Sequence, residues 1–186
     1  MNLNEDGMLD RKVFIDLSKI TDAKVGRKQA DLASNPNIVL GGIGIQNQHA
    51  QFMTDSSCTK LVPQCQEALG NIYVNGEKIL SMDPITLKPN DRVIFGTSSV
   101  FLFRNKDKED PNQEVVDTAD NPVTYEFAMK ELKRNQDAEL EKQREEDRKK
   151  AEEEAARKME ELKAKMDAEK AEQEEAARKM KEEMEE

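Results

Sequence analysis

Short alternating or continuous apolar runs, broken by turn-forming residues, fill the chain from residue 12 to residue 105. The runs recur about every 8–12 residues, and Gly, Pro, Asn and Asp separate them. This pattern is typical of an all-β sandwich or Greek-key barrel, and no long helix fits inside it. The predicted strands are KVFIDL (12–17), AKVG (23–26), NIVL (37–40), HAQFMT (49–54), CTKLVP (58–63), NIYV (71–74), EKIL (77–80), DRVIFG (91–96) and SVFLFR (99–104).

A tight hairpin is predicted at Asn75-Gly76, between the IYV and EKI runs. A type I′ turn needs positive φ at two successive positions, and the Asn-Gly pair tolerates that conformation best. The strands on either side of this turn should therefore pair directly.

The pattern changes after residue 105. Residues 111–121 are polar and are predicted to be a linker or a loop packed on the sandwich, which with its N-terminal lead-in spans residues 1–110. Asn121 is expected to cap a helix with Pro122 at its first position, where the missing N–H costs nothing. Because neither Pro nor Gly occurs after Pro122, one long helix is predicted over residues 122–186.

Two interpretations of this helix remain open. Many acidic residues stand four positions before a basic one, which supports a single solvated helix. The segment EEAARKM occurs at 153–159 and again at 174–180, a shift of 21 residues or three heptads, which favours a coiled coil. The seam of that coiled coil would be Ala155, Met159, Leu162, Met166, Glu169, Gln173, Ala176 and Met180.

The start of the helix is more apolar than the rest. Tyr125, Phe127 and Leu132, together with Val123 and Ala128, supply neighbours three and four positions apart. This segment is expected to dock on an apolar surface, and we favour a contribution from the helix or sandwich of a second chain. Beyond residue 139 the helix should be solvated.

Composition and charge place the polar excess in the second half of the chain. Charged residues make up 37% and hydrophobic residues 36%, against about 25% and 45–50% in average globular proteins. Residues 1–110 carry a formal charge of −1 and residues 111–186 carry −9. An acidic balance argues against nucleic-acid binding and against direct contact with anionic membranes. We find neither a signal peptide nor a membrane-spanning stretch, which favours a cytoplasmic location.

Candidate catalytic chemistry is sparse. His49 is the single histidine, so neither a histidine metal site nor a Ser/His/Asp triad is expected, and no catalytic residue is assigned. Cys58 and Cys65 are expected to be free thiols, because one cysteine pair without a signal peptide rarely forms a disulfide. We therefore expect no enzymatic activity, metal or cofactor in this segment.

A set of motifs over residues 12–105 resembles the forkhead-associated (FHA) domain. It comprises Gly26-Arg27, Gln46-Asn47-Gln48-His49 in place of S-x-x-H, Tyr73-Val74-Asn75-Gly76, and the closing DRVIFG and SVFLF runs. The resemblance implies a β-sandwich of the eleven-strand class. It also implies that the loops at one end bind phosphothreonine peptides, for which a guanidinium with hydroxyl and amide donors is chemically suited.

Individual positions follow this family pattern only in part. Arg27 matches the phosphate-binding arginine and His49 the loop-bracing histidine, whereas Gln46 stands where the family has serine and Asn47 where arginine is common. Asn71 is displaced by one position from the usual peptide-binding asparagine. Gly26, Asn75 and Gly76 are assigned structural loop roles. These departures favour protein binding without phosphate recognition, and a phosphothreonine-binding signalling adaptor is the alternative.

Two further motifs resemble the kinesin-3 motor family. Asn2-Leu3-Asn4-Glu5-Asp6 looks like the N-L-N-E-D before its FHA domain, and residues 125–132, YEFAMKEL, look like the aromatic-x-F-A-x-x-E-L after it. The resemblance implies an interaction module of a cytoskeletal motor, with homodimerisation, autoinhibition or cargo-adaptor binding as its roles. No G-x-x-x-x-G-K-[ST] loop occurs, so microtubule binding, ATP and Mg²⁺ would belong to a motor domain outside this segment.

Overall fold

A computed structural model of the protein describes residues 1–30, 35–55, 57–105 and 116–184. These residues form ten strands, two short 3₁₀ turns (Leu17–Lys19 and Gln66–Ala68) and one long helix. The strands are β1 Asn2–Leu3, β2 Asp22–Gly26, β3 Ile38–Val39, β4 Ala50–Thr54, β5 Thr59–Pro63, β6 Ile72–Val74, β7 Glu77–Lys78, β8 Ile85–Leu87, β9 Arg92–Phe95 and β10 Ser99–Leu102. The helix is α1, Tyr125–Met184.

The strands form two five-stranded sheets that face each other. Sheet A has the order β1-β10-β9-β6-β7 and sheet B the order β3-β2-β4-β5-β8. Only β2 and β3 pair in parallel among the described strands. The inner faces enclose a core that includes Val25, Phe52, Leu61 and Phe95, each less than 10% exposed. The predicted all-β FHA-like sandwich followed by a long helix is confirmed.

The first predicted strand is wrong. Residues 12–16 have no regular structure, and a 3₁₀ turn follows at Leu17–Lys19, where the Asp16 carboxylate accepts the backbone N–H of Ser18. Val13 and Phe14 are 52% and 70% exposed, so this apolar run does not lie in the core as a strand would. The sequence pattern also missed β1 and β8, and the described residues hold ten strands rather than the eleven of the family class.

The outer face of sheet A carries a second apolar cluster. Leu3, Ile94, Val100 and Leu102 from β1, β9 and β10 meet Ala128 and Leu132 from the start of α1 and Val123, which lies two residues before it. We call this the helix dock. It belongs to the compact unit Met1–Gln136, so the sandwich and the first three turns of α1 pack as one body.

The predicted helix start is wrong by three residues. α1 begins at Tyr125, and the Thr124 hydroxyl accepts the N–H of Phe127, which makes Thr124 the N-cap. Val123 before the cap and Ala128 both lie in the helix dock, the arrangement of a hydrophobic staple. Asn121 instead closes a turn with Thr118, whose hydroxyl accepts the Asn121 N–H.

The predicted linker, residues 111–121, lies partly outside the described residues, since 106–115 are not described. Its described end is held to the sandwich. The Asp117 side chain is 2% exposed and receives hydrogen bonds from Arg11 and Arg104.

The second unit comprises the rest of α1 from Asp137. Its described side chains are almost all exposed, which agrees with the predicted solvated helix. Ion pairs four residues apart lie along it, among them Lys158 with Glu154 at 2.6 Å and Lys165 with Glu161 at 2.9 Å. No helix in the described ranges is long and apolar enough to cross a bilayer.

Candidate functional site

The loops next to Arg27 form the first candidate surface, which we call the loop end. Gly26, the last residue of β2, lies against the loop at residues 46–47, and a Cβ atom there would stand 2.0 Å from the Asn47 carbonyl oxygen. The close approach lets the Arg27 N–H donate to the Gln46 carbonyl at 3.0 Å. Glycine is therefore required at position 26 by packing, whereas its φ is ordinary.

Arg27 is exposed, and its Nη2 donates to the Gly42 carbonyl at 2.8 Å. The structure places Gln46 and Asn47 with Arg27 around one open depression. The depression is lined by Arg27, Gln29, Gly44, Ile45, Gln46, Asn47, Gln48 and Cys65. None of these described residues carries a hydroxyl group, and Arg27 is the single cation among them.

His49 is fully buried and connects two loops behind the depression. Its Nδ1 accepts the N–H of Gln46 at 3.3 Å, so the proton resides on Nε2, which donates to the Asn71 carbonyl at 3.4 Å. Its ring also meets Phe95 edge to face, with centroids 5.7 Å apart. The imidazole has the position from which a bracing histidine would act.

His49 should titrate below the ordinary histidine pKa. Burial lowers the pKa because it disfavours the imidazolium, and the hydrogen bond to the Asn71 carbonyl opposes the shift only in part. The folded state therefore binds fewer protons than the unfolded state, and the stability contributed by neutral His49 is lost as the pH falls below about 6.5. Because His49 is the single histidine, its ring C–H resonance can be followed by NMR without assignment.

We expect a folded-state midpoint below about 6.5 and a midpoint near that value in denaturing urea. A folded-state midpoint at or above the denatured value would contradict this account of the site.

Asn71 lies behind the depression rather than in it. Its side-chain Nδ2 donates to the Glu67 carbonyl at 3.1 Å, and its Oδ1 lies so close to Gly44 that a Cβ there would be 2.6 Å away. Asn71 therefore supports the loop at 41–44 and does not face Arg27. Its role in peptide binding stays a prediction.

The second candidate surface is the helix dock. Asn75 and Gly76 have φ of 53° and 75°, which confirms the predicted type I′ hairpin between β6 and β7. A Cβ on Gly76 would stand 2.9 Å from the backbone carbonyl carbon of Glu131, so glycine is needed here for the helix to approach as well as for the turn.

A buried ion pair closes the helix dock. Arg92 of β9 donates from Nε and Nη2 to the two carboxylate oxygens of Glu131, at 3.0 and 2.5 Å, and from Nη1 to the Asn90 carbonyl. The Arg92 and Glu131 side chains are only 6% and 15% exposed. The bidentate geometry joins the strand and helix at a fixed register.

The predicted docking residues differ in their burial. Leu132 is buried in the dock and Tyr125 is half-buried against it, whereas Phe127 is 40% exposed and lies over the Arg92 guanidinium, 5.6 Å from Cζ to the ring centroid. The expected apolar burial of Phe127 is therefore wrong, because its position on the helix faces the ion pair. The docking surface belongs to the same chain. The second chain favoured from the sequence would therefore have to contact Phe127 and the exposed residues farther along α1.

Sequence reasoning missed three charged residues that hold the dock: Arg92, Glu131 and Asp117. Arg92 is a charged residue in an otherwise apolar strand, and Glu131 is the E of the aromatic-x-F-A-x-x-E-L motif, so both were visible in the sequence. The Asp117 carboxylate accepts hydrogen bonds from Nη1 and Nη2 of Arg11, from Nη1 of Arg104 and from the Val123 N–H. Nothing in its polar surroundings marked it.

Cys58 and Cys65 are free thiols, and burial raises the pKa of Cys65, which disfavours a reactive thiolate. Within the described ranges, no group of three or more His, Cys, Asp or Glu residues is placed to hold a metal ion.

Comparison with known proteins adds family evidence. Residues 23–96 match the FHA domain family. Rat "Kinesin-like protein KIF1A" is 29% identical over 153 residues, 78% of this chain, and mouse "Kinesin-like protein KIF1B" is 29% identical over 152 residues, also 78% of this chain. The chain spans 9% and 8% of these two proteins.

Among solved structures, the yeast Dun1 FHA domain in complex with a doubly phosphorylated peptide is 19% identical to this chain. The alignment covers 66% of this chain and 86% of that domain, with a TM-score of 0.41.

Proposed function

From the premise that residues 23–96 form an FHA domain, in a chain similar over most of its length to kinesin-like proteins, we propose that this protein is the non-motor interaction module of a kinesin-3-like microtubule motor. FHA domains are protein-interaction modules, and the role proposed here is dimerisation, with autoinhibition or cargo-adaptor binding built on it. Microtubule binding, ATP and Mg²⁺ would belong to a motor domain elsewhere in the full protein, acting in the cytoplasm on the cytoskeleton.

An exposed apolar stripe on α1 is the observation that carries this proposal. Met159, Leu162 and Met166 are 69%, 56% and 63% exposed and stand three and four residues apart, so they lie on one face of the helix. A solvated helix gains nothing by exposing such a face, whereas a second helix would cover it. The other described side chains around the stripe are mainly charged, which would restrict pairing to this seam.

The helix dock supports the same function. Because the Arg92–Glu131 pair and the apolar cluster bind the start of α1 to the sandwich, pairing of the helix would bring two FHA domains into one assembly. The loop end shares no residue with the dock or the stripe, and we assign it to the binding of a partner protein.

Leu162→Glu should abolish self-association of the chain. We expect the molar mass from light scattering to rise from 21.2 kDa toward twice that value as the concentration of the wild-type chain increases. A carboxylate in the seam would have to lose its hydration on pairing, so the variant should keep the mass of one chain throughout.

Ala164→Glu is the matched control, because it adds the same charge two residues away, off the seam. The control should associate as the wild type does. A wild-type mass of 21.2 kDa at every concentration would remove dimerisation through α1 and leave the helix as a single charged spacer.

The alternative, a phosphothreonine-binding signalling adaptor, has one observation in its favour, the exposed guanidinium of Arg27 at the loop end. Gln46 in place of the family serine removes the hydroxyl donor that phosphate recognition would use. Micromolar binding of phosphothreonine peptides that is lost in Arg27→Ala would support this alternative.

A further inference from the structure

A short glycine-rich loop, Gly41–Gly44, presents an apolar side chain at the loop end. Ile43 is 77% exposed, yet its backbone is closely packed, because a Cβ on Gly96 would stand 2.5 Å from the Ile43 carbonyl oxygen. Gly44, with φ of 84°, lies against Asn71 on the other side. The backbone on both sides of Ile43 is thus fixed, and its side chain points outward instead of joining the core, where the neighbouring Ile45 is buried.

The same loop also positions the charge. Arg27 Nη2 donates to the Gly42 carbonyl at 2.8 Å, which ties the guanidinium to the residue next to Ile43. Lys28 and the 49% exposed Val39 line the same shallow surface. No described carboxylate forms an ion pair with Arg27, and a guanidinium has five donor N–H groups, so the fork retains capacity for an acceptor from another molecule.

The chemistry of this surface suits a carboxylate better than a phosphate. A phosphothreonine carries about 1.5–2 negative charges on three oxygens and calls for several charged or hydroxyl donors. The depression itself offers one guanidinium and the carboxamides of residues such as Gln46 and Asn47, with no hydroxyl among its described lining residues. Lys28 lines the adjoining surface beside Ile43 and is not among the residues of the depression. A carboxylate has one charge and two oxygens, which one guanidinium fork can satisfy.

We propose that the loop end binds a non-phosphorylated acidic segment of a partner protein, with a Glu or Asp carboxylate on Arg27 and an adjacent aliphatic side chain on Ile43 and Val39. The inference deepens the proposed interaction function and rests on it. Charge complementarity selects the acidic residue, and the fixed, exposed Ile43 selects its apolar neighbour.

The test uses a peptide array on the full chain. Each peptide has Glu, Asp, Thr or phosphothreonine at its centre, one Leu or Ile placed at successive neighbouring positions, and otherwise neutral residues. We expect the Glu or Asp peptides to bind best and the Thr peptides to bind at least about 10-fold more weakly. The phosphothreonine peptides should bind no more tightly than the Glu peptides. Dissociation constants are then measured by calorimetry for the best Glu peptide and its Thr and phosphothreonine counterparts.

Three variants locate the binding surface. Arg27→Gln removes the guanidinium and its charge while leaving a polar side chain, and it should weaken the Glu peptide about 10-fold or more. Ile43→Ser should weaken it several-fold and remove the preference for a neighbouring Leu. Ser98→Ala is the control, because the exposed Ser98 lies beside Gly42 outside the lined surface, and it should leave binding unchanged.

Gln46→Ser tests the chemistry directly. Restoring a hydroxyl beside Arg27 should tighten binding of the phosphothreonine peptide. The fold-change in its dissociation constant should exceed the fold-change for the Glu peptide. Any one of three results overturns the inference. The wild type could prefer the phosphothreonine peptide, Arg27→Gln could bind the Glu peptide as the wild type does, or no peptide could bind at 1 mM. Light scattering separates the two proposals, since a chain that dimerises normally yet binds no acidic peptide removes this inference alone.

Discussion

Arg92→Ala should lower the free energy of unfolding of the sandwich and its docked helix turns by about 3–5 kcal/mol. The Glu131 carboxylate is only 15% exposed, and without Arg92 it would remain buried with no opposite charge. The Phe127 ring would lose the guanidinium beneath it, and the Asn90 carbonyl would lose the Arg92 Nη1 donor. The change should also release the start of α1 from β9.

Tyrosine fluorescence during urea unfolding measures this effect at the right place. The chain has two tyrosines and no tryptophan, and both Tyr73 and Tyr125 pack against the helix dock. The matched control is Lys158→Ala, which breaks an exposed pair with Glu154 and should cost about 0.5 kcal/mol or less. If the two variants lose the same stability, the ion pair does not hold the dock.

A double-mutant cycle with Glu131→Ala completes this experiment. Because the two side chains form one buried pair, the double variant should lose much less than the sum of the single losses. Additive losses would show that each residue acts through other contacts.

Asp117→Asn should destabilise the protein by about 3 kcal/mol at neutral pH. The substitution keeps the shape of the side chain but replaces one carboxylate oxygen by an NH2 group, which donates hydrogen bonds and cannot accept them. Arg11 and Arg104 would then face a neutral amide in place of a carboxylate. Asp117 joins the N-terminal lead-in, the end of β10 and the Val123 N–H just before α1. All three segments should therefore loosen together.

The effect of Asp117 depends on pH in a defined direction. Burial by itself would raise the pKa of Asp117, but the hydrogen bonds from Arg11 and Val123 and the charges of Arg11 and Arg104 outweigh it, so the pKa is lowered. A lowered carboxyl pKa stabilises the folded state above the ordinary value of about 3.9, and this contribution is lost as the pH falls through the folded-state pKa.

Urea unfolding at pH 7 and near pH 3 checks this prediction. The stability difference between the wild type and Asp117→Asn should shrink at the lower pH. Asp16→Asn is the control, because Asp16 also has a lowered pKa, from Ser18 and Lys19, yet its side chain is 52% exposed, and the loss there should be much smaller. An equal loss in both variants would mean that burial of the carboxylate is not what matters.

The loop end was predicted in part from the sequence. The assignment of Arg27, Gln46 and Asn47 to loops of one binding end follows from motif order, and the structure joins these loops because Gly26 ends β2 and the 46–47 loop precedes β4, which pairs with β2. The exposure of Ile43 was not predicted. It lies between two glycines outside any strand, so the alternation of apolar and polar residues does not show whether its side chain is buried or exposed. Contacts with Gly96 and Asn71, which are distant in the chain, hold it outward.

The sequence by itself determined the elements whose conformation depends on near neighbours. The Asn75-Gly76 turn, the strands from AKVG onward other than β8, and the uninterrupted helix follow from backbone sterics and from side-chain periodicity of two or 3.6 residues. The tertiary structure decided the rest. Residues 12–16 lost their predicted strand because Val13 exchanges hydrogen bonds with Asn2, and β1 exists because β10 offers it an edge. The helix starts at Tyr125 because Asp117 takes the Val123 N–H, and its direction was set by Arg92 and Glu131, which stand 39 residues apart. Such pairings depend on which surfaces the folded chain brings together, and local periodicity carries no information about them.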